Sequence, residues 1–365
     1  MSMNSSDVTL FAEVLKTRKA RFDQIIEQYW QDELLTIRKN YGDASYRTMQ
    51  AYVSILARGG KRIRAALAET TYRMFGGNDQ QVIDDMGRIL EMIHAYLLIT
   101  DDISDQSDIR RGGPSAHRLL EQWHDKDNLH GEAKHFGASV ATLAAMVGLH
   151  QAMTDTTKLS VSPERRVVAL ENLNELLTIT CHGQINDLVN EVNGTHDLAS
   201  VENVLLWKTA YYSFVNPLQF GAILAGAPEE ALEVLADYGT AAGRAFQISD
   251  DIVGLFGAVD QTGKNPADDI REGKRTLLVL KALELASPED AAFLESQLGN
   301  HDLKDESFVR CQTIIRRSGA LESARRALES SCQKARQIAT NGQLPEGEGI
   351  RFLGGLAEYL QTRQS

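Results

Sequence analysis

The stretch at residues 93–105, IHAYLLITDDISD, decides how the rest of the chain is interpreted. Its apolar run ends in Asp101 and Asp102, and Asp105 and Asp108 follow at the spacing of successive helical turns. Like charges at this spacing repel, and the repulsion grows where water is excluded. Arginines come next, which is typical of a helix end, whereas acidic residues prefer helix starts. The pattern therefore predicts a helix whose last turn offers oxygen ligands to a hard cation, Mg²⁺ first.

A basic turn follows the acidic stretch directly. Arg110 and Arg111 precede residues 112–114, Gly-Gly-Pro, which are typical of helix ends and turns. Carboxylates that bind Mg²⁺ beside arginines form a site suited to a diphosphate, because the ion bridges phosphate oxygens and the guanidiniums neutralise the remaining charge. The alternative is that the arginines only form ion pairs with the neighbouring acids.

A second acidic pattern occurs at residues 246–254, FQISDDIVG. Gln247, Asp250 and Asp251 share one helix face at i, i+3 and i+4. Gly254 stands one turn later, where a third carboxylate would complete the pattern. Two acidic helices in one chain indicate a cation site more strongly than one, because solvated helix ends explain a single charge run more easily.

Basic segments with glycines accompany both acidic patterns. Residues 59–64, GGKRIR, place Lys61 and Arg64 after a glycine pair, and Lys264 and Lys274 each follow a glycine downstream of the second pattern. Glycines let a phosphate approach the backbone, and a helix start adds N–H donors. Each segment is a weak signal alone, but together with the acidic helices they predict a site for diphosphate substrates.

The periodicity of the apolar residues favours helices throughout. Leu170, Leu173 and Leu177 recur at three and four positions, and sustained alternation with period two is scarce. Three prolines each follow Ser or Ala and precede Glu, an order typical of helix starts. We predict an all-α protein of about a dozen helices. No linker rich in Pro, Gly or Ser divides the chain, so we predict a single helical domain over residues 1–365.

Charge and cysteine content limit the classes of partner and compartment. The 365 residues include 38 Lys and Arg against 50 Asp and Glu, which disfavours a non-specific nucleic-acid or membrane-surface binder. The three cysteines are far apart and odd in number, as in proteins of reducing compartments. The first residues lack the order of a signal peptide, and the longest apolar run, residues 137–149, suits a buried helix better than a membrane span. We expect a cytoplasmic protein.

The chain resembles the trans-isoprenyl diphosphate synthases, also called polyprenyl synthetases, and among them the short-chain enzymes of the geranylgeranyl diphosphate synthase type. The resemblance spans residues 52–281. Its pieces, in the family's order, are GGKRIR at 59–64, IHAYLLITDDISD at 93–105, RRGGPSAH at 110–117, HFG at 135–137, GQINDL at 183–188, KTA at 208–210, FQISDD at 246–251, GK at 263–264 and DDIREGKRT at 268–276. Each piece is weak alone, whereas all of them in this order are highly specific.

The resemblance implies an all-helical bundle around a central cavity, in a homodimer. It implies head-to-tail condensation of isopentenyl diphosphate with an allylic diphosphate, with three Mg²⁺ ions in each active site. The metal ligands would be Asp101, Asp105 and Asp250. Supporting carboxylates would be Asp102 and Asp251.

The resemblance also assigns the substrate contacts. The allylic diphosphate would be bound by Arg110, Lys208, Gln247, Lys264 and Lys274. Isopentenyl diphosphate would be bound by Lys61, Arg64, His94 and Arg111. The carbonyl of Lys208 and the hydroxyl of Thr209 would face the developing allylic cation.

Product length is predicted from Tyr96 and Leu97. Tyr96 lies five positions before Asp101, and a residue one to two turns before the metal site is placed to form the floor of the cavity. An aromatic side chain here, without two extra residues inside DDISD, resembles the pattern of enzymes that form twenty-carbon products. We expect geranylgeranyl diphosphate, made from dimethylallyl, geranyl or farnesyl diphosphate, with farnesyl diphosphate as the alternative product.

Three other functions compete with this interpretation. A class I terpene cyclase shares the first acidic motif, but its second helix normally carries an Asn/Asp-Ser/Thr-Glu pattern instead of FQISDD. A non-catalytic subunit of a heteromeric prenyl synthase would be expected to lose the metal ligands or the basic segments, and this chain keeps both. A helical interaction protein leaves the acidic stripes unexplained. The departure at Gly254 resembles a variant found in actinobacterial-type members of the family.

Overall fold

The computed structural model describes residues 5–257 and 265–362, and in these ranges the regular structure is helical apart from one short hairpin. The helices are α1 (Ser5–Ala57), α2 (Ile63–Met74), α3 (Gln80–Ser104), α4 (Ala116–Lys126), α5 (Ala133–Thr156), α6 (Pro163–Asn193), α7 (Leu198–Val204), a π-helix (Leu205–Val215), α8 (Asn216–Ala225), α9 (Glu229–Phe256), α10 (Asp268–Arg271), α11 (Leu277–Leu285), α12 (Pro288–Gln297), α13 (Asp305–Arg317), α14 (Ala320–Thr340) and α15 (Glu348–Thr362). The antiparallel strands are β1 (Ile109–Arg110) and β2 (Gly113–Pro114). The predicted all-α class is confirmed.

The prolines mark helix starts as predicted. Helix α6 begins at Pro163 and α12 at Pro288. The side chain of Ser287 accepts a hydrogen bond of 3.2 Å from the backbone N–H of Asp290 and so caps α12. Pro228 immediately precedes α9. Proline suits these positions because the first N–H groups of a helix have no partner within it.

The chain divides into two compact units. The first unit comprises residues 12–172 and 220–227, and the second comprises residues up to 11, residues 173–219 and residues from 228 onward. The segments interleave, so no single boundary in the sequence separates the units. The prediction of one domain around a central cavity stays a prediction.

In the first unit, α3 is the central helix and packs against α2 and α5. The face formed by Ile83, Met86 and Ile89 is fully buried, and each such side chain contributes about 1.5–3 kcal/mol through burial. The buried hydroxyl of Tyr52 donates to the carbonyl of Met92 at 2.7 Å, in the middle of α3. This packing fixes the direction in which the acidic end of α3 leaves the core.

In the second unit, α9 packs against the π-helix and α14. The rings of Phe214 and Phe246 lie 5.4 Å apart, and the buried Tyr238 hydroxyl donates to the carbonyl of Leu353 on α15 at 2.7 Å. These contacts position the last turns of α9, which carry the second acidic motif. The π-helix beside them is unusual, because π-helical segments are rare and are frequent at functional sites.

Helix α5 has one buried face and one exposed apolar face. Ala144 and Ala145 are buried, whereas Leu143, Met146 and Val147 are 59, 44 and 49% exposed. The expectation of a buried helix is therefore met on one face only. Among the described residues, α5 alone is long and apolar enough to cross a membrane by length and composition, a weak indication because core helices pass the same test.

Candidate active site

The first acidic motif lies at the C-terminal end of α3. Asp102 is fully buried, Asp101 is half-buried, and Asp105 caps the helix. The prediction that Asp108 continues this stripe is wrong, because the helix has ended before it. The carboxylate of Asp108 instead accepts a hydrogen bond of 2.6 Å from Nε of Arg118.

The basic turn forms the β1–β2 hairpin, with Arg110 opposite Gly113. Nε of Arg110 donates to Oδ1 of Asp102 at 2.7 Å, and its Nη2 lies 3.3 Å from Oδ2 of Asp101. The ion-pair alternative therefore describes Arg110 in this structure. Because Asp102 is buried and bound to Arg110, it is placed to orient the motif rather than to contact a substrate.

Half-buried arginines surround His94, which is itself buried and 7% exposed. Nη2 of Arg111 lies 3.1 Å from Nε2 of His94, and since a guanidinium only donates, the imidazole is the acceptor. Burial, followed by the charges of Arg64 and Arg111, holds the pKa of His94 well below its usual range. Burial likewise lowers the pKa of Arg111 to about 10. A group of arginines beside a buried imidazole suits an anionic ligand.

The GGKRIR loop contributes to the same cluster. A Cβ atom at Gly60 would lie 2.8 Å from Nη2 of Arg111, so glycine lets the guanidinium lie against the backbone. The neighbouring Arg62 is buried and has a structural role. It adopts φ +52° and donates to carboxylate oxygens of Glu91 at 2.7 Å and Asp23 at 2.8 Å. These ion pairs fix the loop that carries the exposed Lys61.

The first unit thus brings together residues from three separate motifs. His94 comes from α3, Arg111 from the hairpin, and Arg64 from the first turn of α2. All three are predicted to bind isopentenyl diphosphate, and the charges of Arg64 and Arg111 add to burial in lowering the pKa of His94. Their substrate roles stay predictions.

In the second unit, a hydrogen-bond chain orients Gln247. The Thr209 hydroxyl donates to Oε1 of Gln247 at 2.8 Å, and Nε2 of Gln247 donates to Oδ1 of Asp251 at 2.7 Å. The predicted shared face of α9 is therefore present for Gln247 and Asp251. Because the Thr209 proton is used in this bond, the lone pairs of its oxygen are left to accept.

Two predicted lysines of the second unit lie beside carboxylates. Nζ of Lys208 is 2.5 Å from Oδ2 of Asp187, and Nζ of Lys274 is 2.6 Å from Oε2 of Glu272. Asp187 was not predicted as a site residue, although it lies in the GQINDL segment. Its only sequence signal was a carboxylate in a family motif. Lys264 lies outside the described residues.

The space at Gly254 is used by a carboxylate from elsewhere in the chain. A Cβ atom at position 254 would lie 3.1 Å from Oδ2 of Asp269, on α10. The same carboxylate is close enough to influence Asp251, whose pKa is raised well above its usual range by burial first, then by the charges of Asp269 and Asp250. Sequence reasoning identified the missing third acid but did not find Asp269 in its place.

The residues at both acidic motifs fit Mg²⁺. The donors are carboxylate oxygens, the ligands that this ion prefers, and the raised pKa of Asp251 marks a concentration of negative charge that a cation would relieve. Among the described residues, no three or more His, Cys, Asp or Glu side chains converge into a complete metal cage. Mg²⁺ does not require such a cage, because it is usually bound by one or two carboxylates together with substrate phosphates and water.

The predicted chain-length residues lie on α3 before the first motif. Tyr96 and Leu97 are both half-buried. Five residues of helix span about 7.5 Å, so Tyr96 lies one to two turns below Asp101 as predicted. Its role as a floor stays a prediction.

The chain is similar to known proteins over most of its length. The polyprenyl synthetase family model matches residues 46–315. The geranylgeranyl diphosphate synthase of Sulfolobus acidocaldarius is 29% identical over 86% of this chain and 90% of its own length. The nonaprenyl diphosphate synthase of Mycobacterium tuberculosis is 29% identical over 97% of this chain and 95% of its own.

A solved structure is similar over nearly the whole chain. It is the geranylgeranyl pyrophosphate synthase of Corynebacterium glutamicum, complexed with isoprenyl diphosphate and magnesium. The match has a TM-score of 0.88 and 31% identity, and it covers 96% of this chain and 99% of the other. The relatives share one reaction class and differ in the product named. The chain therefore belongs to the polyprenyl synthetase family and is a trans-prenyl diphosphate synthase.

Proposed function

We propose that this prenyltransferase makes geranylgeranyl diphosphate by adding isopentenyl diphosphate head-to-tail to dimethylallyl, geranyl or farnesyl diphosphate. The observation that carries the proposal is the basic cluster of Arg64 and Arg111 around the buried His94, which three separate motifs supply. Such a cluster costs free energy in the absence of an anion and suits a diphosphate. Similarity to named geranylgeranyl diphosphate synthases supports the product.

The basic residues of both units bind and orient the two diphosphates. Lys61, Arg64, His94 and Arg111 hold isopentenyl diphosphate, with the neutral His94 ring donating its remaining N–H. Arg110, Lys208, Gln247, Lys264 and Lys274 hold the allylic diphosphate. When the allylic diphosphate binds, Lys208 breaks its ion pair with Asp187. Arg110 then exchanges part of its hydrogen bonding with the carboxylates for hydrogen bonds to phosphate oxygens.

Asp101, Asp105 and Asp250 hold the metal, with Asp102 and Asp251 in support. When bound, three Mg²⁺ ions neutralise the charge that builds on the leaving diphosphate. The Lys208 carbonyl and the Thr209 oxygen face the allylic cation with their lone pairs, because the Thr209 proton is committed to Gln247. Apolar side chains on α3 exclude water from the cation, and the departing diphosphate takes the proton that is lost after the new carbon–carbon bond forms.

We further propose that the protein acts as a cytoplasmic homodimer. The exposed apolar stripe of Leu143, Met146 and Val147 on α5 supports the homodimer, because a contiguous apolar helix face is typical of an interface. Sedimentation equilibrium of the full chain tests it. A dimer that dissociates when Leu143→Glu is introduced is expected, whereas a wild-type monomer would exclude the proposal.

The product assay tests the proposed reaction directly. The full chain is incubated with Mg²⁺, labelled isopentenyl diphosphate and each allylic starter, and product length is measured by chromatography. A twenty-carbon product is expected. A fifteen-carbon product, or one longer than twenty carbons, would keep the reaction class and change the product assignment. No product from any starter would favour the non-catalytic subunit or the cyclase.

Tyr96→Ala tests the cavity floor. Removing the ring opens space one to two turns below Asp101, so the main product is expected to lengthen by at least one five-carbon unit. Leu97→Ala is the matched comparison, since it removes volume at the next position along the helix. An unchanged product in Tyr96→Ala would remove Tyr96 from the length assignment.

A further inference from the structure

Arg58, which directly precedes the GGKRIR loop, connects the end of α1 to the hairpin. Its Nη1 donates to the carbonyl of Arg110 at 2.9 Å, and its Nη2 donates to the carbonyl of Pro114 at 2.6 Å. Nε and Nη2 also donate to Ser54, through its hydroxyl and its carbonyl, at 3.0–3.2 Å. One side chain thus joins α1 to both strands of the hairpin.

The hairpin needs such support because its turn is strained. Arg111 and Gly112 both adopt positive φ, +53° and +72°, as a two-residue turn of the primed type requires. A residue with a side chain adopts this conformation unfavourably, and each strand is only two residues long. Contacts outside the hairpin therefore have to hold it.

The absence of a side chain at Gly113 leaves room for the guanidinium of Arg58. A Cβ atom at position 113 would lie 2.5 Å from Nη1 of Arg58, closer than any real contact of this kind. The glycine therefore permits the guanidinium to reach the Arg110 carbonyl. Residue 113 does not have positive φ, so close approach rather than backbone conformation explains the glycine.

We propose that Arg58 is a positioning residue for diphosphate binding: it sets where the hairpin presents Arg110 and Arg111. This inference rests on the proposed function. Arg58 does not bind phosphate itself, because Nε, Nη1 and Nη2 all donate to protein oxygens. Loss of Arg58 displaces the two guanidiniums together, one predicted to bind each substrate. Both substrates are therefore affected, which distinguishes Arg58 from a contact residue.

The test compares Arg58→Ala with wild type in the full chain. The KM values for isopentenyl diphosphate and for the allylic starter are both expected to rise about tenfold, with kcat changing less. Millimolar guanidinium chloride is expected to restore part of the loss in Arg58→Ala. Arg58→Lys should stay impaired, because one ammonium cannot reach both hairpin carbonyls and Ser54. Unchanged KM values for both substrates would overturn the proposal.

Two further variants keep the result interpretable. Gly113→Ala displaces Arg58 without removing it and is expected to raise both KM values in the same way. Arg38→Ala is the control from the part of α1 before the kink at Gly42, since Arg38 is exposed and pairs with the exposed Asp43 at 2.6 Å. It should leave both KM values unchanged. A Gly113→Ala enzyme with wild-type KM values would contradict the proposal even if Arg58→Ala fails to fold.

A structural readout separates this inference from the proposed function. Amide hydrogen exchange at residues 108–115 should be faster in Arg58→Ala than in wild type or Arg38→Ala. Binding of inorganic pyrophosphate with Mg²⁺, measured by calorimetry, should weaken in the same variant. If wild type catalyses no condensation, these two measurements still test Arg58. Unchanged exchange in the hairpin would exclude its positioning role whatever the activity.

Discussion

Each unit contains a buried titratable group whose pKa is strongly displaced, a histidine in the first and a carboxyl in the second. In the first, burial and neighbouring arginines hold the pKa of His94 down, and burial lowers the pKa of Arg111 to about 10. In the second, burial and the nearby Asp269 and Asp250 raise the pKa of Asp251. Neither arrangement favours folding by itself. The surroundings of His94 suit an anionic ligand, and the surroundings of Asp251 suit a cation.

The two acidic motifs also differ in how they balance their charge. The first places Arg110 on its central carboxylate, Asp102. The second places a further carboxylate, Asp269, over Gly254. The difference suggests that the first motif is oriented by its arginine, whereas the second depends more on metal.

The largest expected effect is at Asp250. Asp250→Asn removes the charge of a proposed metal ligand, so kcat should fall by about 100-fold or more. Steady-state kinetics across a range of Mg²⁺ concentrations measure the loss. Asp237→Asn is the control, because Asp237 is exposed on the same helix and lies outside the acidic motif. Equal activity of the two variants would contradict a metal role for Asp250.

A smaller effect is expected at Gly254. Gly254→Asp places a Cβ about 3.1 Å from Oδ2 of Asp269 and a second carboxylate beside it. Repulsion should displace both groups and raise the Mg²⁺ concentration for half-maximal rate about tenfold. Asp269→Asn in the same chain should reverse much of this increase, because one carboxylate again occupies the site. A double variant that needs more Mg²⁺ for half-maximal rate than Gly254→Asp alone would show that a carboxylate at position 254 cannot replace that of Asp269.

Asp251→Asn should stabilise the metal-free protein. The pKa of Asp251 is higher in the folded protein than in the unfolded chain. The stability that the protonated carboxyl contributes is therefore present below the unfolded pKa and is lost as the pH rises through the folded pKa. Removing the charge should raise the melting temperature at neutral pH by about 2 °C or more. Thermal unfolding with a chelator measures this. A lower melting temperature would mean that Asp251 is stabilising as a carboxylate.

His94 should give the opposite pH dependence. Its pKa is lower folded than unfolded, so the unfolded chain binds the proton first as pH falls. The free energy of unfolding should decrease below about pH 6.5, by at most about 1.4 kcal/mol per pH unit. Denaturant unfolding of wild type and His94→Asn across this range measures the difference. Parallel curves for the two proteins would show that His94 does not titrate differently on folding.

Local sequence patterns predicted the helical class, the helix starts and the position of both acidic motifs. Prediction failed where a contact is made by residues far apart in sequence. Asp108 was placed on the helical stripe because spacing alone does not reveal that α3 ends before it. Asp187 and Asp269 were missed as partners of Lys208 and of the Gly254 position, because each reaches them from another helix.

By itself, the sequence determined the family, the all-α class and the residue types that bind metal and diphosphate, because period, capping and motif order are local properties. Tertiary structure decided which charges meet. It lowered the pKa of His94 by burying the ring beside arginines, engaged Arg62 in ion pairs, and joined Arg58 to the hairpin. Burial and proximity set the electrostatics of a side chain, and both arise only when distant segments pack together.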